Sequence, residues 1–179
     1  MKAGFTKRVS SPRLFFHDLS FILTRIPRYL EIAWAKRVSL AFSEKIRLAT
    51  TAVNQCVICA RVHYEWAQLA GVDRNEIRAL LNNDLKGGGV ADDNELVALL
   101  YAQHYAESNQ NPDPDKTRQL HEYYGPATAT DITLIIRLIS FFNLTGNTLE
   151  AFLSRIAGRK PRQSNLLFEI LMENSLLPP

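Results

Sequence analysis

The chain has 179 residues, of which 46% are hydrophobic and 22% charged, and a net charge of +3. A chain of that length buries about 70% of the surface its unfolded form exposes, so it needs no metal or disulfide staple, and the composition excludes a disordered or fibrous protein. The charge is uneven: residues 1–50 carry ten Lys/Arg against three Asp/Glu, and residues 51–150 carry seven against thirteen. That asymmetry predicts a basic N-terminal region packed near an acidic middle, within or between subunits, not a nucleic-acid surface, because the cations are dispersed and no recognition motif accompanies them.

Almost every segment has helical period and none alternates as a strand does, so the expected class is all-α, one domain of about eight helices spanning residues 1–179. The first helical region is expected over 12–40, broken or restarted at Pro27. Its apolar stretch "LFFHDLSFILTRIPRYLEIAWA" is interrupted by His17, Asp18, Arg25, Pro27, Arg28 and Glu31, each too costly for a simple membrane-spanning helix. The start also lacks the uninterrupted apolar run and cleavage site of a signal peptide, and a cytoplasmic location is expected.

A second helix is expected from Ser43, read as its N-cap, towards Asn54. The helix after it carries both cysteines of the chain in "NQCVICARVHYEW" and should end at Gly71, a residue suited to a left-handed cap. Asp73 with Glu76, in "DRNE", reads as a capping box, and Asp92 with Glu95, in "DDNE", repeats the device before "LVALLYAQHYAES". Between these helices "LKGGGV" reads as a loop, with too little context for a phosphate site. The segment "NQNPDPDKTRQ" reads as a polar connection, and "ATDITLIIRLISFFNLTGNTLEAFLSRI" as an apolar helix interrupted near Gly146. One more helix is expected after "GRKPRQ".

Two cysteines placed at random fall three apart in roughly one chain in ninety, so the pairing invites a chemical explanation. On a helix, a step of 100° per residue puts Cys56, Cys59 and His63 within about 60° of arc, together with Ala60, Ala67 and Ala70, which leave room beside the sulfurs. Arg61, Glu65 and Gln68 form a solvated stripe. Ile58, Val62 and Leu69 form a separate apolar stripe, which predicts packing on two sides. The helix N-terminus favours the thiolate at Cys56, and His63, one turn after Cys59, is placed to accept a proton. Glu44 is the best carboxylate to orient that imidazole. Two bland readings compete: inert buried thiols, and a zinc site, for which Cys56, Cys59 and His63 supply three ligands where a structural site wants four. His17, His104 and His121 read as structural or solvated, and Arg137 as either an ion-pair partner or a snorkelling surface cation.

Glu44, the twelve-residue step to Cys56, then Cys59 and His63, followed by "AQLAGVDRNEIRALL", resemble the alkyl hydroperoxidase D (AhpD) branch of the carboxymuconolactone decarboxylase family. The likeness is good over about residues 40–107 and loose over the flanking helices, 12–40 and 113–175. It implies a helical, usually oligomeric fold and a thiol-dependent peroxidase without metal or organic cofactor. Glu44 and His63 would form the proton relay and Cys56 and Cys59 the redox pair. The implied partners are a hydroperoxide substrate, a thiol or dithiol reductant protein and further copies of the chain, with neither nucleic acid nor membrane. Cys59 is the expected attacking thiol because it lies nearest His63, although the helix dipole favours Cys56. The sequence departs from that branch at Ile58, where His or Tyr often stands. The alternatives are a helical oligomeric binding or scaffold protein with the same fold but no efficient catalysis, and a decarboxylase-type member, although those lack the CxxC.

Overall fold

The computed structural model describes residues 6–85 and 93–158, which form seven α-helices and, among these residues, no strand. In chain order they are α1 (Pro12–Leu23), α2 (Ile26–Ala35), α3 (Leu40–Asn54), α4 (Val57–Leu69), α5 (Arg74–Leu81), α6 (Asp93–Glu107) and α7 (Pro114–Ile156). The loop "LKGGGV" beyond Leu85, the capping position at Asp92 and the expected helix after "GRKPRQ" lie outside the described residues.

The all-α expectation is met, and the differences in helix boundaries have local causes. The chain does restart at Pro27: α1 closes on Thr24, and Pro27 stands in the first turn of α2, where its missing N–H is not needed. The cap of α3 is Ser39, not Ser43; the Ser39 hydroxyl accepts from Phe42 N–H, and Ser43 is carried into the buried interior of the helix. Gly71, with φ +86°, follows the end of α4 as expected. Asp73 caps α5 by accepting from the Asn75 and Glu76 N–H groups. The Glu76 carboxylate does not complete a capping box, because it pairs with Lys45 at 2.8 Å.

The "NPDPDKTRQ" segment is less of a connection than its prolines imply, since Asp113 caps α7 and Pro114 opens it. The break in that helix is at Gly125, with φ 75° and ψ 162°, immediately before Pro126, and not near Gly146. Proline removes the N–H that would continue the ladder, and glycine alone tolerates the positive φ this requires. Two rods joined at Gly125 bring the count to about the eight expected.

The core gathers around α3. Ten of its fifteen residues are buried, including Ile46, Leu48, Ala49 and Ala52, which fits a helix enclosed on nearly every side. It packs against α4, α5, α6 and α7. The second rod of α7 adds Ile132, Ile135, Ile136 and Ile139 to the interior. By length and composition α7 could cross a membrane, but 56% of its most apolar stretch is buried inside the protein, as in a core helix.

The charge asymmetry is resolved largely by packing within the chain. Asp131, fully buried on α7, accepts from Arg28 at 2.9 Å and Arg37 at 2.6 Å. Lys45 bridges Glu76 and Glu95, and Lys7 reaches the carbonyl of Ala106 at the end of α6. Replacing Asp131 by alanine frees two guanidiniums that are already about a third exposed and can return to water. We therefore expect a loss of about 2 kcal/mol, below the 3–5 typical of fully buried pairs, readable as a lower urea midpoint. Among the described residues Arg137 pairs with no carboxylate; its guanidinium lies 3.3 Å from the centre of the Phe21 ring.

Burial pushes the Tyr105 phenol up to about 12 from its usual 10. The folded state therefore favours the neutral phenol over the phenolate. Its contribution to stability is complete below pH 10 and disappears as pH rises towards 12. A chemical-denaturation series across that window should show falling stability, with a shallower fall in Tyr105→Phe.

Candidate active site

The site is built where α3 ends and α4 begins. Gln55, in the left-handed region with φ 58°, turns the chain sharply between the two helices. Cys56 is the N-cap of α4, and its sulfur accepts from Cys59 N–H at 3.4 Å. Its sulfur thus faces the partial positive charge of the first turn, the position that most favours a thiolate. Cys56 and Cys59 are joined as a disulfide with Cα atoms 5.3 Å apart. Cys56 is 1% exposed, whereas Cys59 is only partly buried.

His63 follows one turn after Cys59 on α4, so the two side chains stand on adjacent turns of one face. Its Nδ1 lies 2.7 Å from Glu44 Oε2. Glu44 is fully buried, and a buried carboxylate must be paired. With that carboxylate ionised, Nδ1 carries the proton and donates, which leaves Nε2 as the ring's acceptor. The structure thus brings together all four residues singled out in the sequence: Glu44, Cys56, Cys59 and His63.

The geometry also shows how Glu44 reaches His63. A rise of 1.5 Å per residue sets Glu44 about 15 Å from the end of α3 and His63 about 9 Å into α4. The two side chains span the remaining difference across the contact between the helices.

Three features of the site escaped sequence reading. The first is Arg47, whose Nη1 donates to the other oxygen of Glu44 at 2.5 Å. Its signal was present, because residues three apart on a helix are neighbours. The second is Gly146 on α7: a Cβ built there stands 3.5 Å from the Cys56 sulfur and 3.9 Å from that of Cys59. The residue read as a helix break is in fact the small lid of the disulfide. Both distances are ordinary contacts, and Gly146 is inside a helix, so Gly146→Ala should stabilise the oxidised protein by about 0.5–1 kcal/mol. Differential scanning calorimetry should show a Tm higher by about 1–4 °C.

The third feature is a buried polar layer beside Gly146. The Asn147 amide donates to the backbone carbonyls of Asn54 and Lys7 at 2.9 and 2.8 Å, and the Thr51 hydroxyl donates to Asn143 Oδ1 at 3.2 Å. These contacts tie the last turn of α3, just ahead of Cys56, to α7. Nothing in the sequence separates these asparagines from surface ones, because their partners come from distant parts of the chain.

The remaining faces of α4 divide as follows. Ala60 and Ala67 are buried against the core with Val57 and Tyr64, and Arg61 and Glu65 are exposed. The expected second packing stripe is overturned: Ile58, Val62 and Leu69 are 56%, 46% and 86% exposed, with Trp66 exposed beside them. The side of α4 that meets the core is the one carrying Val57, Ala60, Tyr64 and Ala67, which leaves Ile58, Val62, Trp66 and Leu69 facing outward. Away from the site, His104 Nε2 accepts from Asp113 N–H, and His17 meets Asp18 at the surface.

Residues 23–102, from the end of α1 into α6, match the carboxymuconolactone decarboxylase family. The matched segment makes up a little under half of the chain, and what it shows is a likeness to that family. No curated protein and no solved structure matches the chain. The family segment contains Glu44, Arg47, Cys56, Cys59 and His63, whereas Gly146 and the asparagines of α7 lie beyond it. The family includes both decarboxylases and peroxidase-like enzymes, and the AhpD-like branch lies within it.

Proposed function

We propose that the protein is a thiol-dependent peroxidase, or disulfide oxidoreductase, of AhpD type. The observation that carries this reading is the conjunction of a closed Cys56–Cys59 pair with His63 oriented by Glu44. In the reduced protein, His63 Nε2 takes the Cys59 proton directly or through a water. The Cys59 thiolate then attacks the outer oxygen of a hydroperoxide: an S–O bond forms, the O–O bond breaks, and the departing alkoxide takes a proton and leaves as the alcohol. Cys59 suits this role because it is the less buried of the two residues and stands one turn before His63.

Cys56, held at the N-cap, attacks the resulting sulfenic acid; the S–S bond forms and water departs. An external dithiol restores the pair by two successive exchanges, taking up the disulfide in its place. No metal or organic cofactor enters these steps. Ile58 points away from the thiols, so its departure from the family pattern bears on the approach of the reductant and leaves the relay intact.

The same reading makes the chain a cytoplasmic homo-oligomer. Ile58, Val62, Trp66 and Leu69 form an exposed apolar ridge along α4, and a ridge of this kind fits a second copy of the chain. Sedimentation should then give a mass above 20.3 kDa, with Val62→Glu shifting it towards one chain.

The decisive experiment adds one equivalent of cumene hydroperoxide to the reduced protein. Mass spectrometry should show loss of two hydrogens per chain as the peroxide is consumed. Unchanged peroxide with free thiols throughout would instead support a helical binding or scaffold protein of the same fold.

A further inference from the structure

A cavity of about 570 Å³ opens between α2, α3 and the second rod of α7, away from the thiols. That volume lies within the range of small-molecule sites. Its walls are apolar, formed chiefly by Ile32, Val38, Ile135 and Leu138. The only charged side chains on its described lining are two cations, Lys36 and Arg47. We propose that this cavity binds an aliphatic carboxylate, with the hydrocarbon chain between α2 and α7 and the carboxylate on Arg47 and Lys36.

The charge pattern selects this class of ligand. An apolar ligand alone would leave Lys36 without a counter-charge and the free edge of the Arg47 guanidinium without an acceptor, and a cationic one would be repelled. Arg47 already holds one carboxylate, that of Glu44, through Nη1. Its other N–H groups make no hydrogen bond to the described residues, and a guanidinium fork matches a second carboxylate in planar geometry. Lys36 ends α2 at the exposed rim, where its ammonium can close over the head group. The packing also leaves room, since α2 makes few contacts with α3 or α7 and does not fill the space against them.

Arg47 thus faces a ligand on one side and Glu44 on the other, which places the bound charge one side chain away from the carboxylate that orients His63. This site is separate from the redox pair, and its occupancy can be tested whether or not the protein reduces peroxides.

The test is isothermal titration of the full chain with decanoate, with decan-1-ol as the uncharged probe of equal chain length. One decanoate should bind per chain, and the alcohol should bind at least about tenfold more weakly, as expected for a lost charge-assisted contact. Leu138→Trp, which fills the cavity, should abolish saturable binding. Arg47→Gln should weaken decanoate about tenfold or more, with circular dichroism confirming the fold. Lys36→Met, on an exposed helix end and clear of Glu44, should weaken it several-fold even if Arg47→Gln does not fold. Equal affinity for acid and alcohol, binding that survives Leu138→Trp, or no saturable binding of decanoate in the millimolar range would overturn the proposal. The last result includes the case in which a second copy of the chain covers the cavity.

Discussion

Replacing Cys59 by serine is expected to reduce hydroperoxide turnover to the uncatalysed background, because the attacking sulfur is gone and a serine hydroxyl is not nucleophilic enough to cleave the O–O bond. Cys56→Ser should behave differently. Its Cys59 still reacts once, consumes one equivalent of peroxide and stops as a sulfenic acid that a diketone reagent can trap. The contrast rests on position: Cys56 is almost wholly buried at the N-cap, and Cys59 is partly open and one turn from His63. If Cys56→Ser abolishes the first peroxide equivalent and Cys59→Ser retains it, the roles are reversed, as the helix dipole by itself favours. Turnover that persists in the double serine variant would remove the assignment altogether.

His63→Ala should slow thiol alkylation and peroxide reduction at neutral pH by about two orders of magnitude or more, the usual contribution of a positioned general base. The defect should shrink as pH rises past about 8.5, where an ordinary thiol ionises without help. Iodoacetamide kinetics from pH 6 to 10 on reduced wild type and variant measure this directly. A profile unchanged by the substitution would leave His63 with only a packing role.

Glu44→Gln provides the companion measurement. The amide can still accept from Nδ1 but no longer stabilises an imidazolium, and it removes the negative partner of Arg47, which is only partly exposed. A smaller alkylation defect is therefore expected, together with a loss of stability of about 2 kcal/mol. A Glu44→Gln protein that matches wild type in both respects would show that the buried carboxylate neither orients the imidazole nor supports the fold.

The four site residues were legible because their signal is local. Cys56, Cys59 and His63 lie within eight positions of one another, and helical spacing alone places them on one face. Glu44 was legible through its fixed step to Cys56 in a family pattern, and the contact itself needed the turn at Gln55. Helix ends were harder to read. Ser39 and Ser43 are equally good caps on paper, and which of them caps α3 depended on which face the helix had to bury.

Sequence by itself determined the all-helical class, the thiol helix and its histidine, and the punctuation at Pro27, Gly71 and Asp73, since helical period, capping and backbone freedom act within a few residues. Tertiary structure decided what meets across the chain. It set Gly146 against the sulfurs, gave Arg47 the second oxygen of Glu44, buried Asp131 between two arginines and turned Ile58, Val62 and Leu69 outward. These outcomes depend on how α3, α4 and α7 pack, and packing joins positions up to 140 residues apart, a separation over which local spacing rules carry no information.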